Sequence, residues 1–319
     1  MPLLRNPFKK RSEISQGIVA ISFFPNGFAI AVTAYSEHNR PRLLLCDFVT
    51  APPEQWKPQL ENLVRTHHLE RYSCHILLTR EQYNCFSIET PQVNDDEIKA
   101  AVRWRVAEML DYPADRAILD YYPLPKSNRA NSTPLLEVIC CDSPKLDSLL
   151  QPCKQAGLNI KVVDIQEAAL RNLASLLPEN EQGVAVLHLQ PTAGHIIIEK
   201  AGTIFLSRKF ELGYNRLLAG AFGNEQQAQM EQSTLALEIQ RSLDYVENYF
   251  DVPPITSLGV ILMPSHTETI VNFLMINHGI TARTLDLSAI VNGDIILNDA
   301  LQNVCAPVIG AGLRRWVEG

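Results

Sequence analysis

The sequence predicts an α/β protein built from two related halves, and three observations support this. Residues 17–49 and residues 183–210 each have the pattern of a three-stranded antiparallel meander that opens with glycine and a β-branched run. Helical patterns follow each meander, and a duplicated unit of this kind indicates two similar domains. The length of 319 residues also suits two domains better than one.

Composition excludes several classes of function. The net charge is −7 and the isoelectric point is about 5.7, which argues against nucleic-acid binding by bulk electrostatics. The seven cysteines form no C-x-x-C motif, so we expect reduced thiols in a cytoplasmic protein. No segment approaches the roughly 20 apolar residues that a membrane-spanning helix needs, so no direct span is expected.

A short basic arm precedes the first meander. Arg5, Lys9, Lys10 and Arg11 surround Phe8 in a chain that is acidic overall. Two interpretations remain open from the sequence: a solvated tail, or a weak contact with an anionic membrane face.

The first half, residues 1–178, contains more than its meander. After the Pro25–Gly27 turn we expect a helix near residues 55–68 and strands at 75–79, 84–89, 118–123 and 135–141. Residues 94–110 predict a helix with capping-box spacing between Asn94 and Glu97. Trp104 lies off its apolar stripe, so it should pack against another element or a partner. Residues 89–142 are expected to form a small inserted subdomain.

The second half, residues 179–319, begins with the second meander. A polar stretch at 224–232 should precede a long helix at 233–250. A strand at 258–263, a helix at 267–277 and a closing helix at 301–316 are expected to follow.

Four stretches resemble the type IV pilus assembly family PilM, in the same order and spacing. Residues 93–120 (VNDDEIKAAVRWRVAEMLDYPADRAILD) are similar to its E-x-x-x-A-x-R-W-E-x-E helix, proline-containing turn and VLDY strand. Residues 156–173 resemble its AGL-x-P-x-x-VD segment, residues 235–249 its EI-x-R-SL-x-Y helix, and residues 306–314 its closing AP-x-x-x-x-x-GLA-x-R segment. The likeness extends to the PilM-like member of mannose-sensitive haemagglutinin (MSHA) pilus systems.

The resemblance implies an actin-like ATPase fold. Two ribonuclease-H-like halves would surround a cleft, with the small subdomain inserted in the first half and the C-terminal helix returning to that half. It also implies a cytoplasmic scaffold at the inner-membrane face, which docks the cytoplasmic tail of a PilN-like bitopic inner-membrane protein. The resemblance further implies a link to a second partner, the hexameric pilus assembly ATPase.

The first phosphate-binding turn that the resemblance implies is altered. Actin-fold enzymes carry a D-x-G-x-[ST] turn in each half, whose Asp positions metal and water and whose backbone cradles phosphate. In the first half we place this turn at residues 19–23. Val19 then stands for Asp and Ile21 for Gly, and only Ser22 remains as a hydroxyl.

The other two nucleotide elements are altered as well. In the second half His188 stands for Asp, Gln190 for Gly, and Thr192 for the hydroxyl. The glycine pair expected after strand 258–263 is replaced by residues 264–266 (Pro-Ser-His). We therefore predict no bound cofactor, with ATP and Mg²⁺ disfavoured, and a pseudo-ATPase that retains the fold without hydrolysis. An active actin-like ATPase is the alternative.

The partner groove is expected between the first meander's sheet and the insert, partly by sheet-edge pairing. The candidate side chains are aromatic or cationic: Arg103, Trp104, Tyr112, Tyr121 and Tyr122. The alternative is that the aromatic residues only form the core of the insert.

Two further readings concern metals and a related system. His67 and His68 lack further ligands at suitable spacing, so no metal site is predicted. A cytoplasmic component of type II secretion, related to its L-type protein, is another candidate, although that protein carries a membrane span.

Overall fold

The computed structural model describes residues 17–35, 41–128, 132–218, 225–250, 252–291, 293 and 295–314. The basic arm, residues 129–131 of the insert, residue 224, and residues 315–316 of the expected closing helix lie outside these ranges. Within them, no helix is long and apolar enough to cross a membrane.

The first half begins with three strands, β1 (Gly17–Phe24), β2 (Gly27–Tyr35) and β3 (Pro41–Thr50), followed by α1 (Trp56–His67) and β4 (Ser73–Leu78). The insert contains β5 (Asn84–Glu89), α2 (Ile98–Val106), β6 (Ala117–Pro123) and β7 (Leu135–Asp142). The half then closes with α3 (Ser143–Gln155), β8 (Asn159–Ile165) and α4 (Gln166–Ala174).

The second half repeats this plan without an insert of the same kind. It contains β9 (Val184–Leu189), β10 (Gly194–Lys200), β11 (Thr203–Phe210), α5 (Tyr214–Leu218) and α6 (Glu225–Phe250). It continues with β12 (Leu258–Ile261), α7 (Thr267–His278), β13 (Ala282–Leu285), α8 (Leu287–Ile290) and α9 (Asp299–Gly312).

The two large sheets have the same topology. The strand order is β3-β2-β1-β4-β8 in the first and β11-β10-β9-β12-β13 in the second. In each sheet the meander is antiparallel and the two later strands run parallel to its first strand. The central strands read as continuous apolar runs because both of their faces are buried.

Helices α4 and α9 lie between the two sheets and share one apolar core with both. That core includes Ala20 of β1, Leu170 of α4, Ile197 of β10 and Ile309 of α9, all fully buried. The helices approach so closely that a Cβ on Gly310 would lie 2.2 Å from the carbonyl oxygen of Ala169. Glycine is therefore required at this crossing.

The C-terminal helix returns to the first half. The hydroxyl of Thr33 donates to the carbonyl oxygen of Gly312, and the hydroxyl of Tyr35 donates to that of Leu313 at 2.8 Å. Arg314 extends to Asp164 on β8, with an N–O distance of 2.9 Å. The end of α9 is thus fixed to the first sheet rather than to the second.

The insert is a three-stranded sheet of order β5-β7-β6 with α2 on one face. Its sheet begins at Asn84, earlier than the expected residue 89, because β5 pairs with β7 from Asn84 to Glu89. Val102 and Val106 of α2 are fully buried against this sheet.

Two helices differ from the sequence prediction. Helix α2 begins at Ile98 rather than at residue 94: the side chains of Asn94 and Glu97 meet at 3.3 Å, but neither caps the backbone. Helix α6 begins at Glu225 rather than at residue 233. The polar stretch forms part of the helix because residues 225–232 are all Gln, Glu, Ala or Met, which favour helices. Its Glu231 also pairs with Arg216 of α5 at 2.7 Å.

Candidate functional site

The first hairpin turns at the expected position, residues 25–27, but the phosphate turn expected at residues 19–23 lies within the strand. Strand β1 continues to Phe24, which pairs with Gly27, so the turn is formed by residues 25 and 26. Val19 and Ile21 lie in the middle of the strand, and their side chains are buried in the core that includes α1 and α3. They face away from the second half, so the assignment of these two residues to a phosphate turn is corrected.

The second hairpin shows which residues are equivalent. Ser22 pairs with Ala29 across the first hairpin, and His188 pairs with His195 across the second, at the same sequence separation. Ser22 and His188 also lie on the strand faces directed at α4 and α9, as their neighbours Ala20 and Val186 show. Ser22, and not Val19, is therefore the counterpart of His188.

Both turns contain proline at the equivalent position. Pro25 and Pro191 each follow three residues after Ser22 and His188. Proline has no backbone N–H, so each turn lacks a donor where a phosphate cradle needs one.

The second turn is also covered by its own half. The N–H of Gln190 donates to the carbonyl oxygen of Ala193 at 2.8 Å. The N–H groups of Tyr214 and Asn215 donate to the carbonyl oxygens of Gln190 and Pro191 at 2.9 and 3.1 Å. These backbone groups are consumed within the protein and are not directed at a ligand.

His188 provides no negative charge where the implied Asp would lie. Its Nε2 donates to the carbonyl oxygen of Asn303 on α9 at 2.9 Å. Burial lowers the pKa of His188 to about 4, so the ring is neutral at physiological pH. The Asn303 amide in turn donates to the carbonyl oxygens of Leu189 and Leu262 at 3.0 and 2.8 Å. This polar network joins α9 to the ends of two strands.

The two hydroxyl candidates differ in environment. Ser22 is 1% exposed, and its Oγ has no hydrogen-bond partner among the described residues. Thr192 lies exposed in the β9–β10 turn. The structure does not bring the two hydroxyls onto a shared, accessible pocket surface.

Charged side chains between the halves are paired with one another. Lys209 of β11 contacts Glu81, after β4, at 2.7 Å and so bridges the two halves. Glu167 at the start of α4 accepts from the hydroxyl of Tyr83 and lies 3.8 Å from Arg80. These carboxylates are occupied by cations or hydroxyls of the protein itself and are not open to a metal ion.

The residues present do not fit ATP with Mg²⁺. Neither hairpin turn contributes a carboxylate, both turns contain proline, and the acids Glu81 and Glu167 are paired. Among the residues that the structure describes, no group of three His, Cys, Asp or Glu side chains could hold a metal ion. A cavity of about 250 Å³ remains beside His266, between α5, α6 and α7, where the implied glycine pair is missing.

The five predicted partner residues do not line one groove. Trp104 is 81% exposed on α2, whereas Tyr121 packs into the core between α2 and the insert's sheet. Tyr122 follows Tyr121 along β6 and so points to the opposite face of that sheet. Burial, followed by the charge of Glu137, raises the pKa of its hydroxyl well above the ordinary value.

The other two predicted partner residues have roles inside the insert. Arg103 donates to the carbonyl oxygens of Ala114 and Ala117 at 2.6 and 2.7 Å, which fixes the turn before β6 to α2. The hydroxyl of Tyr112 is buried without a partner among the described residues.

A groove that the sequence did not indicate runs along α3. Its volume is about 730 Å³, and it lies between α1 and α3 near the start of the insert. Its lining includes Trp56, Lys57 and Gln82 together with residues of α3 from Lys145 to Gln155. The amphipathic patterns predicted both helices, but not the gap between their exposed flanks.

Comparisons with known proteins identify the fold. No protein-family model and no curated protein sequence matches the chain. Among solved structures, a PilM–PilN type IV pilus biogenesis complex aligns with a TM-score of 0.69 at 16% identity, covering 93% of this chain and 99% of that one. The cytoplasmic domain of EpsL, an inner membrane component of the type II secretion system of Vibrio cholerae, aligns with a TM-score of 0.50 at 11% identity, covering 94% and 96%.

The chain therefore has the actin-like ATPase fold. The repeated strand order, the two central helices and the insert in the first half define it as a two-half protein of this class. The fold prediction is confirmed.

Proposed function

We propose that this protein is a non-hydrolytic scaffold of a type IV pilus biogenesis machinery of the MSHA type. It would lie in the cytoplasm at the inner-membrane face and dock the cytoplasmic tail of a PilN-like bitopic inner-membrane protein. The overall likeness to a PilM–PilN complex over almost the whole length of both chains carries this proposal.

The altered hairpins support a role without nucleotide turnover. Pro25 and Pro191 remove equivalent N–H donors, and His188 is a neutral, buried group bonded to the backbone of α9. A fold kept without its chemistry must serve another purpose, and binding is the simplest one. The alternative of an active ATPase would require ligands for metal and phosphate that these turns do not supply.

The groove along α3 is the best site for an extended tail. Trp56 supplies an aromatic wall and the partly buried Leu149 an apolar floor, while Lys57 and Lys145 flank them. The groove adjoins the β4–β5 connection, where the insert begins. Its lining residues all lie outside the insert, so the proposed site is beside the start of the insert and not between the meander's sheet and the insert, where the sequence analysis expected the tail.

Exposed Trp104 would then serve a second partner, and the hexameric assembly ATPase is the one implied. Trp104 is 81% exposed, and tryptophan is among the residue types that most often dominate the energetics of a binding interface. A type II secretion role remains the second candidate, favoured by the likeness to the EpsL cytoplasmic domain.

The test measures binding of a synthetic PilN-like tail peptide by fluorescence anisotropy. Ser148→Trp should fill the groove and weaken binding by at least about tenfold. Asp147→Trp is the matched control, because it lies beside Ser148 on α3, is exposed and does not line the groove. Equal loss in both variants, or loss only with Trp104→Ala, would contradict docking along α3.

A further inference from the structure

We infer that the outer face of α2 binds a basic segment of a partner protein, which places an apolar side chain beside Trp104. The surface, here called the α2 face, consists of Glu97, Ala100, Ala101, Trp104 and Glu108. This inference rests on the proposed second partner at Trp104 and supplies the chemistry of that partner. It does not depend on docking of the tail along α3.

Helical geometry places these residues on one side of α2. At about 100° per residue, Glu97 and both alanines lie within about 60° of Trp104 around the axis, and Glu108 follows one turn later. The buried Val102 and Val106 lie about 160° away, against the sheet of the insert. The short alanines leave the indole uncovered, and it is 81% exposed. One face of α2 is therefore packed, and the other presents a tryptophan to a partner.

A cavity adjoins the α2 face. Its volume is about 490 Å³, and it lies between α2 and the chain that follows β5. Ala101 and Arg105 form its helical wall, and residues 89–93, which include the exposed Val93, form the other. Ala101 lies one turn before Trp104 on the same side of the helix. A side chain of a partner can therefore enter the cavity while its neighbours contact the indole.

The surroundings of the α2 face are acidic. Residues 89–120 contain eight acidic side chains, all of them exposed: Glu89, Asp95, Asp96, Glu97, Glu108, Asp111, Asp115 and Asp120. No ion pair between described residues includes any of these eight. Their charge is therefore available to a cationic partner.

The cations of the same stretch do not neutralise the α2 face. Arg103 donates to two backbone carbonyl oxygens of the insert, and Arg116 pairs with Asp142. Two other cations remain. Lys99 lies about 140° from the indole around the axis, and Arg105 lies on the flank of the helix, in the wall of the cavity. The α2 face itself thus contains two acids and no cation.

The position of Glu108 is not explained by the stability of the helix. Carboxylates are favourable near the N-terminus of a helix, which accounts for Asp95, Asp96 and Glu97. They are unfavourable near the C-terminus, and Glu108 follows the C-terminal end of α2. A cationic group of a partner would compensate this unfavourable charge.

A basic protein segment is the occupant that fits these features. An anionic membrane or a nucleic acid would be repelled by the acids. A protein segment can combine an apolar anchor beside Trp104 with Lys or Arg on both sides of it. These cations would meet Glu97, about 10 Å before Trp104 along the axis, and Glu108, about 6 Å after it. The anchor would supply most of the affinity, and the charges would select the partner.

The experiment selects binders from a library of random peptides of about 12 residues displayed on phage. The full chain is the target, and Trp104→Ala removes the peptides that bind elsewhere. Because Trp104 is exposed, this variant should keep the fold, which circular dichroism checks. Peptides that distinguish the two proteins should carry a net positive charge and a large apolar residue. Neutral or acidic distinguishing peptides, or none at all, would overturn the inference.

The tightest selected peptide is then titrated against charge variants by fluorescence anisotropy. Glu97→Gln combined with Glu108→Gln should weaken binding by at least about tenfold at low salt, and added salt should weaken binding to the wild type. The matched control, Asp120→Asn with Glu211→Gln, removes the same charge from exposed residues elsewhere. Asp120 lies on the face of the insert's sheet opposite α2, and Glu211 lies in the second half. Equal loss in both pairs would contradict recognition by the α2 face.

Three further measurements separate this inference from its alternatives. Ile276→Ala, at a residue as exposed as Trp104, should leave binding of the selected peptide unchanged. Ser148→Trp should also leave it unchanged, and Trp104→Ala should keep wild-type affinity for the PilN-like tail peptide, so failure of one proposal does not mimic failure of the other. If sedimentation velocity shows a dimer of the chain that Trp104→Ala dissociates, the occupant is a second copy and the inference is wrong.

Discussion

Pro25 and Pro191 occupy equivalent positions in the two hairpins that face each other across α4 and α9. Each removes a backbone N–H from a turn that, in a nucleotide-binding relative, would cradle phosphate. The same change is present in both halves, in agreement with the proposed scaffold without nucleotide turnover.

The crossing of α4 and α9 should tolerate no side chain on Gly310. Gly310→Ala would place a Cβ 2.2 Å from the backbone oxygen of Ala169, so the helices must separate. We expect the free energy of unfolding to fall by about 3 kcal/mol, measured by urea denaturation. Gly259→Ala is the control, because its Cβ would meet only Leu285 at 3.5 Å. Similar stabilities for the two variants would contradict the close crossing.

His188 should make stability depend on pH below neutrality. Burial lowers its pKa in the folded state to about 4, so between pH 6.5 and 4 the unfolded chain binds a proton that the folded chain excludes. Stability should therefore fall as pH falls through this range. His188→Gln removes the proton-binding site, and its stability should change less with pH. Urea denaturation at a series of pH values measures the slope.

His195 provides an internal check on this slope. Its pKa is also lowered to about 4, first by burial and then by the charges of Arg80 and Lys209. The double variant His188→Gln, His195→Gln should therefore show a smaller slope than either single variant. An unchanged slope would show that neither imidazole is buried as described.

Glu199 should have the opposite effect on stability. Its side chain is fully buried in β10, and one carboxylate oxygen lacks a hydrogen-bond partner among the described residues. Burial raises its pKa to about 7, so the folded protein keeps a proton that the unfolded chain loses above pH 4.5. Stability should therefore fall as pH rises from 4.5 to 7. The free energy of unfolding of Glu199→Gln, minus that of the wild type, should increase between pH 4.5 and 7 and stay constant above pH 7. A difference that does not change between pH 4.5 and 7 would contradict the raised pKa.

The bridge between Lys209 and Glu81 should contribute little to stability. Its side chains are 35% and 69% exposed, and exposed ion pairs typically contribute less than about 1 kcal/mol. A double-mutant cycle with Lys209→Ala and Glu81→Ala should give a coupling of about 0.5 kcal/mol that decreases with salt. A coupling above about 2 kcal/mol would show that this bridge, and not the shared apolar core, holds the halves together.

Sequence patterns predicted the repeated meanders because the strands and turns each have a recognisable local pattern. The resemblance of four stretches to a known family then predicted the actin-like fold. The patterns did not exclude a phosphate turn at residues 19–23, because Val19, Ala20 and Ile21 are apolar on both faces of β1. Periodicity is uninformative in such a strand, and the predicted Pro25–Gly27 turn was the signal that places the end of the strand.

The candidate partner residues were harder to predict for a different reason. Neighbours such as Tyr121 and Tyr122 point to opposite sides of β6, and only the tertiary structure shows which side α2 covers. The α3 groove likewise depends on how two helices pack, which neither helix encodes alone.

The most direct test of the central claim is isothermal titration calorimetry of the purified full chain with ATP and Mg²⁺. A scaffold with two proline-containing turns and a neutral His188 should give no binding heat at high micromolar nucleotide. Saturable binding in that range would contradict the claim, because it would require phosphate and metal ligands that the described turns do not supply, and it would favour the active ATPase.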